Sequence, residues 1–272
     1  MENKKRFYIF TGKGGVGKTT LALSFCKFLE TKNQKYIYAY IQNSKIDSTS
    51  KPLDESIHLA KELGINTLGL DLLDCSRGYI TKKLKSKTIA SWIIKTPFFQ
   101  SLINMIPGFS YVIYLGQLLE MLVDDPELTI ILDSPSSGHA LTMLESTKNF
   151  NEIFQDGTVY EDTNKMLKVL QADDFTKINI ITLPTLLAIH EGEELKESLS
   201  KVHNFSTDIY SNNCLNEYLN EELPDFLLAK IKNENQAISE NKEHIKNQIT
   251  YSMAHSNKEV IKDLVPSMQN LV

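Results

Sequence analysis

Cysteine is scarce in this chain of 272 residues: Cys26, Cys75 and Cys214 are three in number and lie far apart. An odd, scattered set without a Cys-x-x-Cys pair gives no disulfide framework and fits a reducing, cytoplasmic setting. Positive charge is not in excess either. Lys and Arg number 29 against 34 Asp and Glu, a net charge of −5, so no global basic footprint for nucleic acid is present. No internal repeat or low-complexity segment stands out. Residues Met1 to Arg6 are basic, but the apolar run behind them is only a few residues long, too short for a secretory leader. One run, Thr96 to Leu119, contains no charged residue and is long enough to span a bilayer. Gln100, Asn104 and Gln117 interrupt it and Pro107-Gly108 divides it, so no stable membrane insertion is expected. With 42% hydrophobic residues the chain can bury a full core.

What is present begins at residue 12. The segment Gly12-Lys13-Gly14-Gly15-Val16-Gly17-Lys18-Thr19-Thr20 follows an apolar, strand-like run and opens a helix-like one, the context of a phosphate-binding loop. Its glycines let the backbone wrap tightly, so that successive N–H groups converge on phosphate oxygens at a helix N-terminus. The whole segment from Gly12 to Thr20 is therefore expected to bind nucleotide. Lys18 would reach the β- and γ-phosphates, and the Thr19 hydroxyl would sit on Mg²⁺.

Apolar runs that read as buried parallel strands are Phe7–Thr11, Tyr36–Ile41, Thr129–Leu132, Ile178–Thr182 and Ser206–Asn212, with a shorter one at Asn66–Leu70. Helical patterns lie between them at Thr20–Glu30, Lys51–Leu63, Ala140–Phe150 and Glu193–Val202. The alternation predicts an α/β fold, a mostly parallel sheet with helices on both faces, and a ligand at the carboxyl ends of the strands. The stretch of about 74–123 reads instead as several helices without a strand, a helical insertion in one domain covering 1–272. Within it Phe109, Val112, Ile113, Gly116, Leu119 and Val123 fall on one helical face. The polar stretch Ile231–Ser256 reads as a surface helix, and Val260–Leu264 as a final strand.

Ile130-Ile131-Leu132-Asp133 is an apolar strand ending in a carboxylate, the usual form of a second Mg²⁺-site motif. Asp133 would hold the ion through a water while Thr19 binds it directly.

The string GKGGVGKTT, with its early Lys13, resembles the deviant phosphate loop of the ArsA/Get ATPases: the arsenical-pump ATPase, the tail-anchored-protein targeting ATPase and their MinD/ParA relatives. The sequence after Asp133, Ser134-Pro135-Ser136-Ser137-Gly138-His139-Ala140-Leu141, resembles the switch II of the ArsA and Get members. Looser likeness runs through Ile106-Pro107-Gly108, Leu115-Gly116-Gln117, Asn179–Pro184 and Glu191-Gly192-Glu193-Glu194, so that it covers most of 6–220. The resemblance implies ATP with Mg²⁺ as cofactors and a face-to-face dimer in which Lys13 contacts nucleotide held by the partner. It implies a Gly138 N–H near the γ-phosphate, His139 as a switch-linked imidazole, and Asn212 as the residue that reads adenine, with Asn213 a rival register.

Three departures qualify these expectations. The family's strand after the first helix ends in Ser-Thr-Asp-Pro, whose aspartate orients the attacking water. Here Gln42 stands in its place, and Asp47 is the nearest carboxylate that could substitute. A neutral amide can position a water but cannot take its proton, a deficit worth about 10²–10⁴-fold in rate. The zinc-binding Cys-x-x-Cys that clamps the Get dimer is missing, and so are the clustered cysteines that bind arsenite. The expected activity is slow or impaired ATP hydrolysis by a dimeric switch, with a protein client on an apolar groove at Leu102–Leu122. Alternatives are a non-catalytic ATP-binding subunit paired with a sister ATPase, and a MinD/ParA-like spatial regulator. The last needs a basic face or an amphipathic membrane tail, and the residues after Val260 supply neither cleanly.

Overall fold

The computed structural model describes residues 5–42, 51–172, 175–218 and 223–272, with the side chains of 51–54, 100, 102 and 104 left out of the description. The elements in chain order are β1 (Phe7–Thr11), α1 (Lys18–Thr31), β2 (Tyr36–Ile41), α2 (Lys51–Glu62), β3 (Thr67–Leu70), α3 (Leu72–Leu84), α4 (Lys87–Ile94), α5 (Pro97–Met105) and α6 (Phe109–Asp124). They continue with β4 (Thr129–Asp133), α7 (Ser137–Ile153), α8 (Gly157–Leu170), β5 (Thr176–Thr182), α9 (Leu186–Val202), β6 (Ser206–Cys214), α10 (Asp225–Glu240), β7 (Ile245–Thr250) and α11 (Asn257–Leu264). A 3₁₀ segment, Pro266–Leu271, follows.

The strands form one seven-stranded sheet in the order β3-β2-β4-β1-β5-β6-β7, and every pairing is parallel. Parallel strands buried on both faces need apolar side chains in both directions, which is why these runs are continuously apolar. Alternation along each strand then divides the core in two. Phe7, Ile9, Ile130, Leu132, Ile178 and Ile180 face α6, α7, α8 and α9. Tyr8, Phe10, Ile131 and Ile181 face α1, α2, α11 and the 3₁₀ segment. Each fully buried Leu or Phe in these layers contributes about 1.5–3 kcal/mol.

Helices α3 to α6 all lie between β3 and β4. The charge-free run is broken into α5 and α6, and no helix among the described residues is long and apolar enough to cross a membrane. The inward face of α6 differs from expectation. Val112, Leu115, Leu118, Leu119 and Leu122 are buried, whereas Val123 is 58% exposed. The helix is apolar nearly all round, so spacing alone does not select the face that packs.

The region after β6 also differs from the sequence reading. The expected helix over 231–256 stops at Glu240, and Ile245–Thr250 pairs with β6 as a seventh strand. Its Ile245-Lys-Asn-Gln-Ile249 alternation is short and polar, yet an edge strand needs little burial of its own. The expected strand Val260–Leu264 is helical, because Ser256 caps α11 by accepting from the Glu259 N–H, and Ile261 and Leu264 are buried one turn apart. Helix α8, not anticipated from the sequence, packs Met166 and Leu170 onto the sheet.

Candidate functional site

β1 ends at the carboxyl edge of the sheet, and residues 12–17 carry the chain from it into α1. Two glycines there are sterically required. A Cβ on Gly12, at φ 142°, would stand 2.2 Å from the Ile181 carbonyl oxygen, and one on Gly17, at φ 92°, would stand 2.4 Å from Asn212 Nδ2. Gly17 caps α1 without a side chain, and the first turn of the helix carries no acidic residue. The backbone N–H groups of Lys18, Thr19 and Thr20 thus open the helix with its positive end uncompensated, the requirement for seating an anion. Gly14 and Gly15 lie exposed at the tip of the loop, and Val16 is buried beneath it.

Lys18 is only 8% exposed. Its ammonium donates to the Lys13 carbonyl at 2.7 Å. Burial lowers its pKa, and the charge of Asp133 opposes that shift. Asp133 closes β4, beside Phe10 of β1 and Tyr40 of β2. Its Oδ2 accepts from the Thr19 hydroxyl at 2.6 Å and from the Tyr38 hydroxyl at 2.7 Å. Burial pushes the Asp133 carboxyl pKa up, against both hydrogen bonds and against the charge of Lys18. Burial likewise holds the Tyr38 phenol well above the ordinary tyrosine range.

Asn212, near the end of β6, donates from Nδ2 to the Val16 carbonyl at 2.8 Å, and its Oδ1 is buried without a hydrogen-bond partner. Asn213 sits in the left-handed region at φ 61°. Of the two registers, it is Asn212 whose side chain meets the loop.

These residues fit a magnesium nucleotide. The uncapped start of α1 and the buried Lys18 suit phosphate oxygens, and the orphaned Asn212 Oδ1 suits an amino group such as that of adenine. The Thr19 hydroxyl gives its hydrogen to Asp133 and keeps its lone pairs for a cation. Among the described residues no cluster of three or more His, Cys, Asp and Glu forms, so the ion would depend on phosphate oxygens as well as on Thr19 and Asp133. Residues 5–157 match the anion-transporting ATPase family, ArsA.

The chain belongs to this family.

Relatives share its ATPase name. The ATPase BagA of Mycobacterium tuberculosis is 23% identical over 210 residues, which span 72% of this chain and 62% of BagA. A protein of Mycobacterium bovis and another from a second M. tuberculosis strain match with the same identity and coverage. The match thus spans less than two thirds of these relatives' length.

The other residues that the sequence of this ArsA-family chain singled out include Lys13, Gly138, His139 and Gln42. Lys13 is exposed and forms an ion pair with Glu191 of α9 at 3.0 Å. Both line a narrow cleft with Gly12, Val16, Ser137 and Gly192. The sequence marked Glu191 as part of an acidic helix start, but not as the counterion of Lys13. Gly138 and His139 lie in the first turn of α7, where His139 Nδ1 is hydrogen-bonded to the Tyr111 hydroxyl of α6. Their rings are 5.7 Å apart. Gln42 is exposed just beyond β2, and its N–H donates to the Leu70 carbonyl of β3 at 3.0 Å. Its side-chain oxygen lies 2.8 Å from where a Gly69 Cβ would be. The amide is therefore turned over β3, on the side of β2 away from β4 and β1. Asp47, the alternative carboxylate, lies outside the described residues.

Tyr38 and Tyr111 carried no signal in the sequence. A tyrosine in an apolar strand or helix reads as core, and only the fold brings these hydroxyls to Asp133 and His139. All three cysteines are free and buried, in keeping with small core residues.

Proposed function

We propose that this chain is an ATP-binding, Mg²⁺-dependent switch of the ArsA type that hydrolyses ATP slowly. The observation that carries the reading is the assembly of Lys18, Thr19 and Asp133 at the uncapped start of α1, with the Thr19–Asp133 hydrogen bond already formed. Lys18 would leave the Lys13 carbonyl to pair with phosphate oxygens. Backbone N–H groups from Gly14 to Thr20 would hold the remaining oxygens, and Asn212 would join the base to the loop. Mg²⁺, when bound, would neutralise charge developing on the phosphates. Slow turnover follows from Gln42, a neutral amide turned toward β3, which leaves the attacking water without a base.

The exposure of Lys13 and its ion pair with Glu191 support a dimer in which this lysine exchanges Glu191 for a nucleotide held by a second subunit. That subunit would be a copy of this chain or a sister ATPase. The position of Gln42 favours a sister that supplies hydrolysis. We read residues 1–272 as one domain with α3 to α6 as its helical insertion. Trp92, Phe98 and Met105 on that insertion are 70%, 76% and 77% exposed, which supports a protein client there rather than nucleic acid.

Steady-state ATP turnover with Mg²⁺, measured on the wild type, Lys18→Ala and Gln42→Asp, tests this reading. The expected order is Gln42→Asp fastest, the wild type slow and Lys18→Ala silent, with a gain of about 10²-fold from the carboxylate. Turnover that survives Lys18→Ala would sink it.

A further inference from the structure

Asp133 carries a second donor that belongs to neither motif. Tyr38 lies in β2, and its backbone is in register with Ile131, two residues before Asp133. Two residues of strand rise about 6.7 Å. A tyrosine lying along the strand spans about that distance, and a Phe or Leu at 38 could not deliver a hydrogen there. The Tyr38 hydroxyl reaches Asp133 Oδ2 at 2.7 Å, on the oxygen that also accepts from Thr19 at 2.6 Å. Tyr38 is 1% exposed, so its hydroxyl does not lean on bulk water.

The arithmetic of lone pairs gives this contact a consequence. A carboxylate oxygen accepts about two hydrogen bonds. Oδ2 has both, from Thr19 and Tyr38, which fixes the carboxylate plane and leaves Oδ1 as the oxygen free to meet a water on a cation. Thr19, having given its hydrogen to Oδ2, presents only lone pairs outward. Without Tyr38 the carboxylate could rotate about its Cβ–Cγ bond and offer either oxygen.

We propose that Tyr38 is a positioning residue of the Mg²⁺ site, holding the Asp133 carboxylate in the one orientation that aims Thr19 and Oδ1 at the ion. The inference rests on the magnesium-nucleotide reading above and adds to it a residue that acts through Asp133 and never touches ligand. Loss of the hydrogen-bond partner of a directly ligating group typically costs about 10–100-fold in metal affinity. Tyr38 stands one step further out, behind a carboxylate that meets the ion through a water, so its share is at most about 10-fold.

The test is calorimetric titration of ADP into the full chain, in EDTA and across a Mg²⁺ series, for the wild type, Tyr38→Phe, Asp133→Asn and the double variant. Tyr38→Phe is expected to bind ADP in EDTA as the wild type does, while the Mg²⁺ concentration that gives half of the metal-dependent gain rises about 3–10-fold, the lower part of the range for a group that acts through an outer-shell carboxylate. In the Asp133→Asn background the same change is expected to add nothing, because the group through which it acts is gone. An unchanged Mg²⁺ requirement overturns the proposal. So does an equal loss of affinity with and without Mg²⁺, which is the mark of a packing role alone. A wild type whose ADP binding ignores Mg²⁺ would instead refute the magnesium-nucleotide reading. If Tyr38→Phe melts too low to titrate, 3-fluorotyrosine at position 38 keeps shape and hydroxyl but alters donor strength. A Mg²⁺ requirement that does not follow that strength overturns the proposal equally.

Discussion

Asn212 shows how much one side chain can settle in the phosphate loop. Its amide donates to the Val16 carbonyl across 196 residues of sequence, and it stands 2.4 Å from where a Cβ on Gly17 would be, at a φ of 92° that already disfavours any side chain there. Asn212→Ala would leave a buried carbonyl unpaired, at a cost of about 1–3 kcal/mol. That cost falls on stability; nucleotide affinity is expected to fall only by the contact that the orphaned Oδ1 would make, about 2–13-fold for a hydrogen bond of about 0.5–1.5 kcal/mol. Equilibrium binding of ADP in Mg²⁺ measures it, and wild-type affinity would remove Asn212 from the site. The glycine-and-lysine loop and the strand that ends in Asp133 were legible in the sequence because such patterns are local, each set by a few adjacent residues. Asn212 came from family resemblance alone, and only the fold shows that it, not Asn213, meets the loop.

Among the elements, α6 and α7 are joined at the carboxyl end of the sheet by the Tyr111–His139 hydrogen bond, reinforced by the ring contact between them. His139 follows Asp133 by a few residues, so movement of that loop would pull on α6 through Tyr111. Tyr111 also stacks edge-on against Tyr114 at 6.5 Å, which would pass the pull along the helix. Tyr111→Phe keeps the ring and removes the hydroxyl. Hydrogen exchange of α6 is expected to respond to ATP in the wild type and to lose most of that response in Tyr111→Phe, with nucleotide affinity changed less than about threefold, an amount below 1 kcal/mol. An equal response in both would rule out the link. Neither tyrosine could be picked out beforehand, because apolar helices of the insertion offer several faces and only packing chooses one.

For the whole molecule, the far end of the sheet from the loop is held by a charge pair under the core. Lys177 of β5 is 2% exposed and is paired with Asp208 of β6. Burial works to raise the Asp208 pKa, but the hydrogen bond and charge of Lys177 outweigh it and hold the carboxyl below its ordinary range. A carboxylate with a depressed folded pKa binds fewer protons folded than unfolded between the two values. Its stabilisation is complete above the unfolded pKa, about 4, and is lost as pH falls through the lower folded value. Asp208→Asn would leave the buried Lys177 ammonium with the Ser206 hydroxyl but no counterion. A loss of about 3 kcal/mol is expected at pH 7, the low end for a buried pair because Asp208 is part-exposed. The gap between wild type and variant should narrow as pH drops below about 4. Urea melts at pH 7 and pH 3.5 check it, and a gap independent of pH would show that the pair stabilises no charge.

The sequence by itself determined the parallel sheet, the glycine-rich loop between β1 and α1, the carboxylate that closes β4 and the helical stretch between β3 and β4. Continuous apolar runs, glycine spacing and a carboxylate at a strand end each leave a pattern within about ten residues. Only the tertiary structure decided that Ile245–Thr250 is a strand, that Val123 faces out, that Gln42 turns toward β3, and that Tyr38 reaches Asp133. Those outcomes rest on which segments become neighbours. A polar edge strand is stabilised by the ladder it joins, an all-apolar helix by the face it meets, and a buried hydroxyl by whichever acceptor the sheet register sets within its reach.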